Sequence, residues 1–148
     1  MQQEIVIRSP ETEEEFTDYY HVRWQTLRAP WGEPEGSEKD DREHETFHLA
    51  AFIGNKIVGV GRIQKNTPTE SQIRYMGILE KYRQMGIARK IVESLENAAI
   101  EKGFDYIVLD ARQNAVGFYI SAGYEVIEES YLLFDCIQHY RMQKFLKS

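Results

Sequence analysis

Cysteine, proline and long apolar runs are all scarce in this 148-residue chain, and each shortage removes a class of protein. With Cys136 as the single cysteine, no internal disulfide and no four-thiolate zinc site can form, so the expected compartment is the reducing cytoplasm. Cys136 has no histidine placed in sequence to activate it and reads as a buried packing residue. No apolar run reaches the ~20 residues that cross a bilayer, and Met1 to Pro10 lack the basic-then-apolar order of a signal peptide, so no membrane association is expected. A basic surface is missing as well. Eighteen Lys and Arg stand against 24 Asp and Glu, and no helix face interleaves basic with aromatic residues, which argues against a nucleic-acid partner. The four histidines are too scattered for a metal site, and none is expected.

The composition is that of a soluble globular chain, 42% hydrophobic and 28% charged, long enough to bury a core as one domain spanning residues 1–148. The pattern alternates strands and helices. Glu4 to Arg8 reads as a first strand, and Thr12 with Glu15 forms a capping-box pattern ahead of Phe16, Tyr20, Trp24 and Leu27 at helical spacing. That helix ends before Pro30, and Ala29 to Glu45 reads as a loop with at most one helical turn. Phe47–Ile53 and Lys56–Gln64 are strands joined at Gly54-Asn55, and Gln72–Leu79 follows a turn at Asn66–Glu70. Ile87, Ile91, Leu95 and Ala99 keep helical spacing up to Gly103, and the apolar run Tyr106–Leu109 predicts a strand covered on both faces. A short helix over Ala115–Ala122 and two closing strands, Tyr124–Ile127 and Leu132–Met142, complete the reading.

Chemistry concentrates in Ile78-Leu-Glu-Lys-Tyr-Arg-Gln-Met-Gly-Ile-Ala88, which runs from a strand end into the first turn of an amphipathic helix. A helix start offers unpaired N–H groups and the positive end of the dipole, and small residues there let a phosphate reach the main chain. Lys81, Arg83, Arg89 and Lys90 cluster around it. The Gly-Lys-Ser/Thr ending of a nucleotide triphosphatase loop is absent.

These residues carry a family resemblance. Arg83-Gln-Met-Gly86-Ile-Ala88 resembles the acetyl-CoA signature of the GNAT superfamily of N-acyltransferases: Arg or Gln, two residues, Gly, one residue, Gly or Ala. A second stretch, Ala115-Val-Gly-Phe118-Tyr119-Ile-Ser-Ala-Gly123-Tyr124, is similar to the other family signature at the expected distance. Many relatives carry an asparagine where this chain has Arg112, and Asn114 is out of register for it. With Ile137-Gln-His139-Tyr-Arg-Met142-Gln-Lys144, this variant resembles the small ElaA-like branch.

The resemblance implies a mixed α/β fold, a mostly antiparallel sheet of about seven strands flanked by about four helices. It implies acetyl-CoA as co-substrate, with an acetyl group moving to a primary amine by direct attack through a tetrahedral intermediate. Pantetheine would pair with the main chain of Met76, Gly77 and Ile78, with the Ile78 N–H as oxyanion donor. Gly77 in mid-strand fits a bulge or a close ligand approach. Arg83, Gln84, Met85, Gly86, Ile87, Ala88 and Arg89 would hold the pyrophosphate, with Arg112 and Phe118 also on the cofactor side. Tyr119 matches the family's general acid. A phenol with reference pKa ~10 stays protonated at neutral pH, although aromatic residues at helical spacing also serve as plain core.

The base stays open among Glu70, His44, His48, Asp110 and His139, with His139 on the closing segment as the named candidate. Trp24, Arg28 and Trp31, with the acid-rich stretch Glu33 to Asp41, are candidate acceptor contacts. An acidic loop would favour a cationic amine on a small molecule or a protein, and equally serves as solvated surface. A homodimer is compatible with the sequence. The alternative to an enzyme is a module that binds acyl-CoA and regulates a partner without chemistry.

Overall fold

The computed structural model describes residues 4–146. Among them are β1 (Ile5–Arg8), α1 (Glu13–Leu27), β2 (Phe47–Ile53), β3 (Lys56–Lys65), β4 (Glu70–Ile78), α2 (Ile87–Glu101), β5 (Tyr106–Arg112), α3 (Val116–Ser121), β6 (Glu125–Leu133) and β7 (Ile137–Phe145). The seven strands form one mixed sheet in the order β1-β2-β3-β4-β5-β7-β6. Pairing is antiparallel at β1/β2, β2/β3, β5/β7 and β6/β7, and parallel at β4/β5. Three α-helices stand where about four were expected, because the stretch after α1 closes only into short 3₁₀ turns at Ala29–Trp31 and Glu43–Glu45. The chain divides into two compact units, Met1–Gln64 with Tyr75–Leu95, and Lys65–Arg74 with Glu96–Ser148.

In the first unit, the expected capping box gathers around Glu15. Thr12 Oγ1 accepts the Glu15 N–H at 3.0 Å, and the Glu15 carboxylate accepts the Glu11 N–H at 2.9 Å together with a backbone bond from Thr12. Arg8 donates to both oxygens of Glu15 at 3.0 and 2.7 Å. That guanidinium holds the carboxyl well below its usual range, at about 2. The β2–β3 hairpin turns at Gly54-Asn55 as its composition predicts, with Gly54 at φ 60°. Tyr19 and Val22 of α1 pack with Ala50, Phe52, Ile57 and Val60, leaving a buried core on that side of β2 and β3. On β3, a Cβ at Gly59 would lie 2.8 Å from Ile78 Cδ1, and one at Gly61 2.8 Å from Ile91 Cγ2. These two glycines let α2 settle against the strand through Ile87, Ile91 and Leu95, all buried.

In the second unit, β5 runs on to Arg112, three residues past the apolar core that marked it, because its antiparallel register with β7 continues to Arg112↔His139. Gly123, at φ 98°, ends α3 and passes close to Lys144, whose Cε would lie 3.2 Å from an added Cβ. Lys144 Nζ donates to Glu96 at 3.1 Å and to the Ala122 carbonyl at 2.9 Å.

The closing hairpin corrects the expected strand limits. β6 extends to Leu133 and β7 starts at Ile137, so the stretch expected as one strand, Leu132–Met142, contains the turn. Phe134 and Asp135 take φ of 53° and 58°, and the Cys136 N–H donates to the Leu133 carbonyl at 3.1 Å. The three-residue loop thus carries two left-handed residues in succession without the Asn or Gly that usually takes such positions. Cys136 is exposed at this turn rather than buried. Asp135→Gly should relieve its positive φ and stabilise the chain by about 0.5–1 kcal/mol, read as a higher urea midpoint at unchanged slope. A lower midpoint would refute the turn. β6 lies at the sheet edge and is exposed nearly throughout.

Candidate functional site

After β4 the chain makes one 3₁₀ turn, Glu80–Tyr82, then passes Arg83 (φ −69°, ψ 157°), Gln84 (φ 66°) and Gly86 (φ 79°) before α2 begins at Ile87. Two left-handed residues separated by one mark a tight main-chain turn ahead of the helix. Among the described residues the N–H groups of Gln84 to Ala88 donate to no main-chain acceptor, and the Lys90 N–H bonds Gly86 O at 3.2 Å. Gly86 has open space where a Cβ would stand. Ile87 is buried and pins the helix start, while Gln84, Met85 and Gly86 are exposed. No acid occupies the first turn of α2. Arg83 is partly committed: its Nε donates to Ile78 O at 3.2 Å and staples the loop to the strand end. The chemistry of this donor set suits a pyrophosphate.

β4 shows how its last residues come to be available. Its parallel pairing with β5 covers Glu70↔Tyr106, Ser71↔Ile107 and Gln72↔Val108 and goes no further among the described residues. The Leu79 N–H is used by Val58 O at 2.9 Å, so alternation along the strand turns the Ile78 N–H away from β3. The mid-strand irregularity lies at Tyr75, with φ 57°, two residues before the glycine expected to mark it. Gly77 has its own reason: a Cβ there would stand 2.2 Å from Thr26 Oγ1, so its bareness admits α1.

The acceptor candidates of the first unit are tied into the loop that follows α1. Trp24 Nε1 donates to Glu33 O at 2.9 Å, Arg28 Nε donates to Ser37 O at 3.2 Å, and Trp31 is exposed on a 3₁₀ turn. Beneath them lies an ionic cluster that sequence reasoning missed. Arg23 and Arg62 are completely buried. Arg62 grips Asp40 with two bonds of 2.8 Å, Arg23 bonds Glu43 Oε2 at 2.8 Å, and Arg62 stands 3.0 Å from the same oxygen. Glu38 is buried too and accepts the Gly36 N–H at 2.8 Å. Of the acids that made this loop resemble a cation trap, Asp40 is spent on an internal arginine and Glu38 on the loop's own main chain, while Glu35 and Asp41 stay exposed. A signal was available: Arg62 follows the apolar run Ile57-Val-Gly-Val-Gly, and a buried guanidinium requires acids from elsewhere.

Of the base candidates, His48 is committed to structure. Its Nε2 donates to Glu43 O at 2.7 Å, its Nδ1 lies 2.9 Å from the Tyr19 hydroxyl, and burial lowers its pKa. His44 is exposed. In the second unit, Glu70 accepts from the Tyr106 hydroxyl at 3.0 Å, and Asp110 stands 3.4 Å from Arg141 Nε. His139 is buried, stacked on Tyr131 at 4.3 Å, with Nδ1 3.0 Å from Ile137 O. A carbonyl only accepts, so Nδ1 carries the proton and Nε2 keeps the basic lone pair in the neutral ring. Arg112, opposite His139 in the β5/β7 register, ends β5.

Tyr119 sits on α3 between Phe118 (ring centroids 5.0 Å) and Tyr124 (5.7 Å). Its hydroxyl makes no hydrogen bond among the described residues, and burial alone pushes its pKa above the ordinary tyrosine value. A phenol so placed stays protonated at neutral pH.

Residues 16–124 match the family model described as the acetyltransferase (GNAT) family. A protein of Bacillus subtilis (strain 168), the uncharacterized N-acetyltransferase YjcF, is 31% identical over 132 residues, which is 89% of this chain and 94% of that protein. Among solved structures, an aminoglycoside 6′-N-acetyltransferase complexed with coenzyme A superposes with a TM-score of 0.81 at 14% identity, covering 97% of this chain and 98% of that one. Escherichia coli ElaA superposes with a TM-score of 0.80 at 16% identity, covering 97% and 99%. The two structures speak to the fold, and the family match and the Bacillus relative speak to descent. Together they establish that this chain belongs to the GNAT family of acetyltransferases.

Proposed function

We propose that this acetyltransferase moves an acetyl group from acetyl-CoA to a primary amine, on a small molecule or a protein, by direct attack of the amine on the thioester through a tetrahedral intermediate. The observation that carries the reading is the run of main-chain donors from Gln84 to Ala88 at the start of α2, with Lys81, Arg83, Arg89 and Lys90 beside it in sequence. Those groups would hold the pyrophosphate, and the Met76–Ile78 main chain would pair with pantetheine. The Ile78 N–H, turned away from β3, would take the developing oxyanion. Tyr119 would return a proton to the leaving sulfur. Phe118 and Arg112 belong to the same cofactor reading, and His139, through Nε2, is the named candidate for taking the amine proton. Trp24, Arg28 and Trp31 are proposed to face the acceptor.

Coenzyme A retained through purification, detected by mass spectrometry, is the expected first result. Gly86→Glu should weaken coenzyme A binding by about a hundredfold in calorimetry, because a carboxylate would be forced into the anion loop at positive φ. Affinity unchanged in that variant would sink the loop assignment. Thiol release from acetyl-CoA against an amine panel then separates an enzyme from a binding module.

A further inference from the structure

Tyr75 stands one residue before the Met76–Ile78 segment, with φ 57°. In a bulky aromatic residue that value is an outlier that persists only where the surroundings impose it. Those surroundings are cations. The guanidinium carbons of Arg23, Arg62 and Arg28 lie 4.4, 4.9 and 5.9 Å from the ring centroid. The phenol hydroxyl donates to Asp40 Oδ2 at 3.4 Å, and the Arg62 fork holds both oxygens of that carboxylate. Asp40 is in turn fixed by its own N–H, which donates to Glu43 Oε2 at 2.9 Å. Two residues on, Gly77 is walled by Thr26. The β4 end is thus fixed at two points, a clamped ring and a bare backbone pressed on α1.

A left-handed residue within a strand rotates every peptide that follows it relative to those before. We infer that Tyr75 is a positioning residue for acetyl transfer: its ring, held by Arg23, Arg62 and Asp40, sets the aim of the Ile78 N–H. The inference rests on the acetyl-transfer reading above. It assigns the buried arginines of α1 and β3 to the precision of the reaction rather than to the acceptor.

Three variants test it, with thiol release from acetyl-CoA measured in buffer and with the panel amine that the parent chain acetylates fastest. Tyr75→Gly removes the ring yet leaves φ 57° freely accessible. Its kcat should fall by about tenfold or more, with the acetyl-CoA KM and the coenzyme A Kd within about twofold of the parent. Tyr75→Phe keeps the ring and should retain most of the parent kcat. Arg62→Lys keeps the charge, loses the fork and should fall between them. Parent-like kcat in Tyr75→Gly overturns the inference, as does a parallel loss of kcat and coenzyme A affinity. If Tyr75→Gly fails to fold, Arg62→Lys must show the same split. Loss of folded circular dichroism in both would make the cluster a stability element and overturn the inference too. A parent chain that binds no coenzyme A would instead refute the acetyl-transfer reading.

Discussion

Tyr119→Phe should lower turnover by about 10²- to 10⁴-fold, the usual range for a positioned acid, while coenzyme A affinity stays within about twofold. The substitution is a clean one. It deletes a hydroxyl that makes no hydrogen bond among the described residues and keeps the ring that packs on Phe118 and Tyr124. Stability should therefore hardly change, and a fall in rate would report on chemistry. The pH dependence has a definite sign. The acid must be protonated to act, and burial raises its pKa above the ordinary value of 10.0, so Tyr119 should cause no loss of rate between pH 7 and 9. Any decline in that window belongs to another group. Thiol release by the variant across this range is the measurement, and parent-like turnover would remove Tyr119 from the mechanism.

The largest effect on stability is expected from Arg23→Leu. Its guanidinium is fully buried and donates to Glu43 at 2.8 Å, to the Glu38 carbonyl at 3.2 Å and to the Tyr19 hydroxyl at 3.2 Å. Leucine fills part of the volume but leaves Glu43, only 14% exposed, with less compensation. Breaking one side of a buried pair costs about 3–5 kcal/mol, which lowers Tm by roughly 10 °C in a chain of this size. Arg23→Leu combined with Glu43→Gln should recover part of the loss, because the stranded charge is removed along with its partner. A loss below about 1 kcal/mol in thermal and urea unfolding, the value of an exposed pair, would show that the cluster is effectively solvated.

What could be read in the chain beforehand was what is encoded locally. The Gly54-Asn55 hairpin, the Thr12 cap and the small residues at the start of α2 each declare themselves within a few positions. The ionic cluster does not: Arg23 and Glu43 are 20 residues apart, Arg62 and Asp40 22, and an acid-rich loop looks the same whether its carboxylates face water or buried arginines. The left-handed Tyr75, Phe134 and Asp135 were hidden for a related reason. Tertiary contacts and strand pairing hold these residues in conformations that their side chains disfavour, so composition pointed to Gly77 for the irregularity and ran a strand through the β6–β7 turn.

The edge strand β6 has a consequence for how the protein behaves in concentrated solution. It is nine residues long, exposed nearly throughout, and carries Val126, Ile127 and Leu132 among its open side chains. A strand of that length and polarity is a template on which unrelated chains stack. Glu125, Glu128 and Glu129 serve as its gatekeepers, because every stacked copy would set carboxylate near carboxylate. That protection is repulsion between like charges at a surface. Salt screens it, so a concentrated buffer of high ionic strength lowers the barrier to aggregation along this edge while the fold itself is intact.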